Sequence, residues 1–226
     1  MLKKLERLRE IQKKVAREVS VKDSIELANV KTIAGFDLAY MKNKLICAAT
    51  VLSYPDLKVI EKKHIIADQT IPYIPGFLGF REGPPIIELF GKLENKPDVI
   101  VVDGHGIAHP LKCGLATYVG VQLNVPAIGV AKKKYVGDIK DDKLYIKDEL
   151  RARLIKTREH AKPLLVSAGH RISLKSAVEI ISRSIIQPHK LPEQLHIAHR
   201  HADKVRVSIE SGGVIEIEKE KRKKLI

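Results

Sequence analysis

Hydrophobic positions along the chain change period several times, and each change marks an element. From about Met1 to Ala28, Leu5, Leu8, Ile11 and Val15 recur at helical spacing with Lys and Arg on most of the remaining face, which predicts an amphipathic helix. A packing helix with a solvated basic side fits better than one that reads nucleic acid. Three strand-like runs follow, Lys31 to Tyr40, Leu45 to Ser53 and Leu57 to Ala67, separated by Lys42-Asn43-Lys44 and Tyr54-Pro55-Asp56. Turns this short predict an antiparallel meander. Further on, Val99-Ile100-Val101-Val102 runs without a polar break into Asp103 and the turn Gly104-His105-Gly106, as expected of a strand buried on both faces of a parallel sheet. Gly114 to Gln122 then predicts a helix and Val125 to Val130 a second buried strand, an alternation that implies parallel crossovers. Leu144 to Ile146, Ala152 to Thr157 and Leu164 to Ser167 are further strand candidates. Ser173 caps a helix with Leu174, Ala177, Val178, Ile181 and Ile185 on one face, and a last helix starts near Pro192 with Leu195, Ala198, Ala202 and Val205 inward. The expectation is one α/β domain over 1–226, a mixed sheet of a three-strand meander followed by parallel strand-helix units and flanked by helices. The helix of 1–28 packs on it, and 214–226 form a charged tail.

One stretch resists this scheme. Ile71 to Pro85 carries prolines at 72, 75, 84 and 85 and glycines at 76, 79 and 83, which predicts an irregular loop with a helix starting at Pro84-Pro85 and running to about Leu93. Yet the stretch holds Tyr73, Phe77 and Phe80 in a chain with only 4 Phe and 6 Tyr. Long loops that carry apolar side chains are usually functional. The alternative is an ordinary loop whose aromatics tuck into the core.

Composition narrows the class. Lys and Arg number 41 against 27 Asp and Glu, a formal charge of +14 that favours a polyanion such as nucleic acid, although lysine richness also accompanies heat adaptation. The 44% hydrophobic and 30% charged content suits a globular protein, and no apolar run is long enough to span a bilayer. Binding to an acidic membrane surface would call for a basic amphipathic helix bearing Trp or Phe, which is missing. The first residues lack a signal-peptide core, so a cytoplasmic location is expected, with Cys47 and Cys113 as free thiols.

Three acids stand out. Asp103 ends the buried strand, where ligands of open α/β sheets gather. Asp37 interrupts the first apolar run, and a buried carboxylate there must be either paired or metal-bound. Glu82 closes the Pro/Gly-rich stretch. If the first and fourth strands lie side by side, these acids converge. Carboxylates without a Cys or His cage suit Mg²⁺, and Mg²⁺ on a basic protein suggests phosphodiester hydrolysis. The triplet Lys132-Lys133-Lys134 follows the second buried strand, where it either meets a phosphate or is simply solvated. No Gly-Lys-Ser/Thr phosphate loop occurs and Gly104-His105-Gly106 lacks the third glycine of a dinucleotide fingerprint, so no nucleotide cofactor is expected. Periodicity does not choose among His196, His199 and His201 on the last helix.

The chain resembles the endonuclease V family, inosine-directed repair nucleases with a ribonuclease-H-like fold. The resemblance is carried by Ala34-Gly35-Phe36-Asp37, Pro72-Tyr73-Ile74-Pro75-Gly76-Phe77-Leu78, Phe80-Arg81-Glu82-Gly83-Pro84 and Val102-Asp103-Gly104-His105-Gly106 with His109-Pro110. Gly114-Leu115-Ala116, Ile128-Gly129-Val130-Ala131-Lys132, Ser167-Ala168-Gly169-His170, and Pro192-Glu193 with Ala198-His199 extend it over nearly the whole chain. The sequence departs from the family pattern at Leu111-Lys112-Cys113, where an arginine is common, and at Ala168, where proline is frequent. The resemblance implies Asp37, Glu82 and Asp103 as metal-binding catalytic acids, with Mg²⁺ as the ion and Mn²⁺ as a substitute. It implies His199 as a further catalytic residue, Lys132 at the scissile phosphate and His109 near the active site. Pro72, Tyr73, Ile74 and Pro75 would form the wedge that enters the duplex, and Leu78, Gly104 and Gly106 would line the pocket for the extruded base. The implied activity is hydrolysis of the second phosphodiester bond 3′ to deoxyinosine, leaving 3′-hydroxyl and 5′-phosphate ends; a monomer is expected, although no sequence feature specifies the oligomeric state. Inosine in RNA as substrate, or nucleic-acid binding without catalysis on the same fold, are the alternatives. His105 receives no role.

Overall fold

The computed structural model describes residues 2–212, so the tail of 214–226 lies outside the described residues. One nine-stranded sheet runs in the order β3-β2-β1-β4-β5-β9-β8-β7-β6. Strands β1 (Thr32–Tyr40), β2 (Lys44–Ser53) and β3 (Val59–Asp68) form the antiparallel meander, with boundaries within two residues of those the sequence predicts. Strand β4 (Val99–Asp103) lies parallel to β1 on one side and to β5 (Ala127–Ala131) on the other.

Beyond β5 the parallel pattern stops. Strands β6 (Asp138–Lys140), β7 (Lys143–Ile146), β8 (Glu149–Ile155) and β9 (Leu164–His170) pair antiparallel, and β9 also runs antiparallel to β5. No helix separates these strands; tight turns with Asp141, Lys147 and Asp148 at positive φ join β6 to β7 and β7 to β8, and residues 156–163 join β8 to β9. Strand β6 escapes the sequence pattern because all three of its residues are exposed.

Five helices cover the sheet: α1 (Leu2–Glu18), α2 (Leu78–Lys92), α3 (Leu115–Leu123), α4 (Leu174–Arg183) and α5 (Glu193–Glu210). The period-two alternation of the strands sorts the core into two layers. Ala34, Phe36, Ile100 and Val102 face Ile86 and Leu89 of α2 and Leu115 and Val119 of α3. Ile33, Val99, Val101, Ile128 and Val166 face Ala177, Ile180 and Ile181 of α4 and Leu195 of α5. The start of α5 comes so close to β1 that a Cβ on Gly35 would lie 2.3 Å from the Gln194 carbonyl oxygen. Only glycine permits that approach, and it sets the height of α5 above the sheet end.

Two expected boundaries shift. The first helix ends at Glu18 rather than near Ala28, because the chain from Val19 onward is tied to the turn between β9 and α4. Arg171 N–H donates to Ser20 O (2.6 Å), and Ser173 N–H donates to Asp23 Oδ1 (2.7 Å). Helix α2 starts at Leu78 rather than at Pro84, so Glu82 sits on a helix and the expected irregular loop is confined to residues before it. Tertiary packing explains the early start. Gly79 and Gly83, one turn apart, form a flat face against the Tyr118 ring, where Cβ atoms would approach to 3.0 and 2.6 Å, and Phe80 packs on Phe77 and Tyr118. That contact holds the turn upstream of the prolines, where local propensity alone would break it.

Candidate active site

The parallel pairing of β1 with β4 matches Phe36 to Val102, and one more step along that register sets Asp37 beside Asp103. Strand β1 continues past this point through Leu38 to Tyr40. The two sheet acids thus lie at the carboxyl end of β4, with α2 on one face and α5 on the other. Glu82 reaches in from α2, His199 from α5 and Lys132 from the end of β5. Together with Leu38 and Leu78 these five residues line a cavity of about 240 Å³. The convergence expected of Asp37, Glu82 and Asp103 is therefore present, joined by His199, Lys132 and Leu78.

Each acid has its own partner. Lys132 Nζ lies 2.5 Å from Asp103 Oδ2, and His199 Nδ1 lies 2.7 Å from Asp37 Oδ2. The Tyr40 hydroxyl donates to Glu82 Oε1. Alternation along β1 explains why Asp37 meets α5 while Tyr40, like Phe36, turns to the α2 face. On the far side of the imidazole, His199 Nε2 is 3.5 Å from Asp203, one helical turn on.

Charge in the cavity is left unbalanced. Burial pushes Glu82 up to about 7, against the bond from Tyr40 and with the help of Asp103 and Asp37. Burial likewise raises Asp103, and the neighbouring Asp37 carboxyl adds to this against the pull of Lys132. Burial alone would lower Lys132, but Asp103 and Asp37 hold it above the ordinary lysine range. The bond to Asp37 raises His199. Burial makes ionisation of Glu82 and Asp103 costly, and the hard oxygen donors of Asp37, Glu82 and Asp103 suit a hydrated divalent ion. Among the described residues no three His, Cys, Asp or Glu side chains are already gathered into a metal cage, and one oxygen of each acid is engaged by Lys132, His199 or Tyr40. An ion that keeps several waters needs no such cage.

The remaining candidates lie around this centre. Tyr73 is 67% exposed at the tip of the segment before α2, with Pro72 and Pro75 exposed beside it and Ile74 half-buried. Gly104 and Gly106 do not line the cavity. Their missing side chains make room for Leu115, 3.1 Å from a Cβ on Gly104, and for the Ala168 carbonyl, 2.1 Å from one on Gly106. His109 is buried away from the acids, with Nε2 bonded to Gly76 O (3.1 Å) and its ring stacked on Tyr135. His105 bonds to the Lys133 carbonyl. Of the other α5 histidines, His196 stacks on His189 and His201 meets His64. Only His199 reaches the acids.

Sequence reasoning missed Tyr40, Asp203 and Arg81, whose guanidinium lies 4.7 Å above the Tyr40 ring. The i,i+4 spacing of His199 and Asp203 was a usable signal. The Tyr40 to Glu82 bond depends on how α2 packs and left none.

A profile of the endonuclease V family matches residues 13–200. An endonuclease V of Dictyoglomus thermophilum is 38% identical over 202 residues, covering 86% of this chain and 87% of its own. The crystal structure of the Bacillus subtilis endonuclease V superposes with a TM-score of 0.82 at 31% identity, covering 90% of this chain and 92% of that one. The Ciona intestinalis endonuclease V, crystallised with a 24mer DNA containing an inosine followed by a ribo-adenosine, gives a TM-score of 0.83 at 26% identity over 92% of this chain and 99% of its own. The chain, with its acids gathered at the carboxyl end of β4, belongs to the endonuclease V family of nucleases.

Proposed function

We propose that this protein recognises deoxyinosine in DNA and hydrolyses the second phosphodiester bond on its 3′ side in the presence of Mg²⁺, with Mn²⁺ able to substitute, leaving 3′-hydroxyl and 5′-phosphate ends. The observation that carries the reading is the convergence of Asp37, Glu82 and Asp103 in one cavity beside Lys132 and His199. The three acids would hold the ion, which on binding supplies Lewis-acid stabilisation of charge on the phosphate and eases deprotonation of water. Lys132 turns from Asp103 to the scissile phosphate, where its charge stabilises the transition state. His199, oriented through Nδ1 by Asp37, moves a proton at the reacting centre through Nε2.

Recognition of the base falls to the segment that leads into α2. Extruding a base from the stack costs a few kcal/mol, less for a weakly paired one, and Tyr73 fills the vacated space by stacking. The basic surface supplies the sequence-independent affinity. Leu78, which lines the cavity beside the acids, shapes a pocket that accepts hypoxanthine. Guanine, which carries an extra amino group, is excluded sterically, and adenine presents the wrong hydrogen-bonding edge. His109 supports this end of the site.

Cleavage of an inosine-containing duplex and its adenine-containing match, each in Mg²⁺ and in EDTA, tests the reading. Nicking only of the inosine strand and only with Mg²⁺ is expected; metal-independent or base-indifferent nicking refutes it. The ribo-adenosine after the inosine in the Ciona complex favours RNA as a second reading. The acids would be the same, and matched DNA and RNA strands cleaved side by side distinguish the two.

A further inference from the structure

The exposed segment Pro72 to Pro75 is fastened at both ends through main-chain carbonyls. Before it, the Ile71 carbonyl accepts from Arg81 Nη1 (3.3 Å), whose Nη2 donates to Gln69 Oε1 (2.8 Å). Gln69 in turn is bound through Nε2 to the carbonyls of Met41 (2.7 Å) and Lys44 (2.9 Å) at the turn between β1 and β2. After it, the Gly76 carbonyl accepts from two donors, Gln12 Nε2 at 2.6 Å and His109 Nε2 at 3.1 Å.

The second fastening draws on two buried side chains. Gln12 is a polar residue on the inner side of an otherwise basic helix, only 3% exposed, and it reaches across 64 residues of sequence to a single carbonyl. His109 is set as a donor, because its Nδ1 accepts from Leu111 N–H (3.2 Å) and leaves the proton on Nε2. Gly76 has φ of +83°, in the left-handed region that favours glycine, and a Cβ there would lie 3.1 Å from the Tyr135 hydroxyl. The chain is thus turned sharply at Gly76 and its carbonyl aimed at two buried donors, while Tyr73 projects into solvent.

We propose that Gln12 of the N-terminal helix is a positioning residue for lesion recognition, holding the Gly76 carbonyl so that Tyr73 is presented to the duplex in a fixed, preorganised conformation. Preorganisation raises affinity by removing the ordering cost from the binding step. The inference rests on the reading of Pro72 to Pro75 as the wedge. It also gives α1 a part in recognition without contact between α1 and the base.

Gln12→Met keeps the bulk of the side chain and removes the donor, and Gln12→Glu, which replaces the amide with a carboxylate, serves as a second variant should the first not fold. Loss of one such bond corresponds to weakening of inosine-duplex binding by about 3- to 10-fold, measured by titration in EDTA. The cleavage rate at saturating protein in Mg²⁺ is expected to hold, and exchange of the Phe77 amide, bonded to Ile74 O, is expected to quicken. In a Tyr73→Ala background the Gln12 substitution is expected to cost nothing more, since residues that act through one another are not additive. Val15→Ala, which loosens the packing of the same helix on Cys113 and Val121 without touching Gly76, is the structural control and is expected to leave lesion affinity unchanged. Equal affinity of the Gln12 variants and wild type, or equal loss in Val15→Ala, overturns the inference while leaving the wedge in place. An unchanged affinity for Tyr73→Ala itself overturns the wedge, and the role of Gln12 with it.

Discussion

His199 Nδ1 lies 2.7 Å from Oδ2 of Asp37, across 162 residues of sequence, and this bond ties α5 to β1, an interior strand of the sheet. The tie depends on Gly35, two residues before Asp37, which lets the start of α5 settle against β1. It also has a defined pH signature. The bond to Asp37 raises the His199 imidazole above its ordinary value, so its contribution to stability is fully present below the unfolded-state histidine value and is lost as pH rises through the folded-state value. His199→Asn is therefore expected to destabilise the protein more at pH 5.5 than at pH 9, as read by urea unfolding at the two pH values. A loss independent of pH, or larger at pH 9, contradicts the assignment.

Glu82 shifts stability in the same pH direction, but through the cost of burying its charge rather than through a bond gained. Burial raises its carboxyl from an ordinary value of 4.5 to about 7, so the ionised form is disfavoured in the folded protein. The sign follows: stability is greatest below the unfolded-state value and falls as pH rises through about 7. At about 1.4 kcal/mol per unit the loss amounts to at most roughly 3 kcal/mol by pH 8. Glu82→Gln is expected to stabilise the metal-free protein at pH 8 and to abolish cleavage. Mg²⁺ is expected to raise the melting temperature of the wild type and not of the variant. A variant less stable than wild type at pH 8, or one that still cleaves at the wild-type rate, excludes this role for Glu82.

Tyr73 should matter to binding and hardly at all to folding. With 67% of its surface exposed, its removal changes stability by about 0.5 kcal/mol or less. Stacking between an aromatic side chain and a base is worth roughly 1–3 kcal/mol, so Tyr73→Ala is expected to weaken binding to an inosine duplex by about 5- to 150-fold in a gel-shift titration. Undamaged DNA, held by surface charge, should bind both proteins alike. Equal weakening on both duplexes would assign Tyr73 to general DNA affinity instead.

The parts of this site that could be read from sequence are those fixed by strand periodicity. Strand periodicity marked Asp37 and Asp103 and allowed the first and fourth strands to be neighbours; the pairing of β1 with β4 and the register that brings Asp37 to Asp103 come from the fold. Glu82 was legible as a residue but not as a helical one, because Pro84 and Pro85 signal a helix start that the packing of Gly79 and Gly83 on Tyr118 moves six residues upstream. Periodicity did not separate His199 from His196 or His201; the resemblance to the family singled it out, and its contact with Asp37 exists only once α5 is docked on β1. Tyr40 and Gln12 carried no local signal. Each acts through one hydrogen bond to an element more than 40 residues away, which exists only once the helices are docked.

If Asp37, Glu82 and Asp103 form the catalytic centre, Asp103→Asn, which keeps the shape of the side chain at the end of β4, removes a charge the reaction needs. In single-turnover cleavage of an inosine-containing duplex in Mg²⁺, with the variant shown by circular dichroism to be folded and by titration to bind the duplex, the rate is predicted to fall by about 100-fold or more. Cleavage at an undiminished rate would contradict the account.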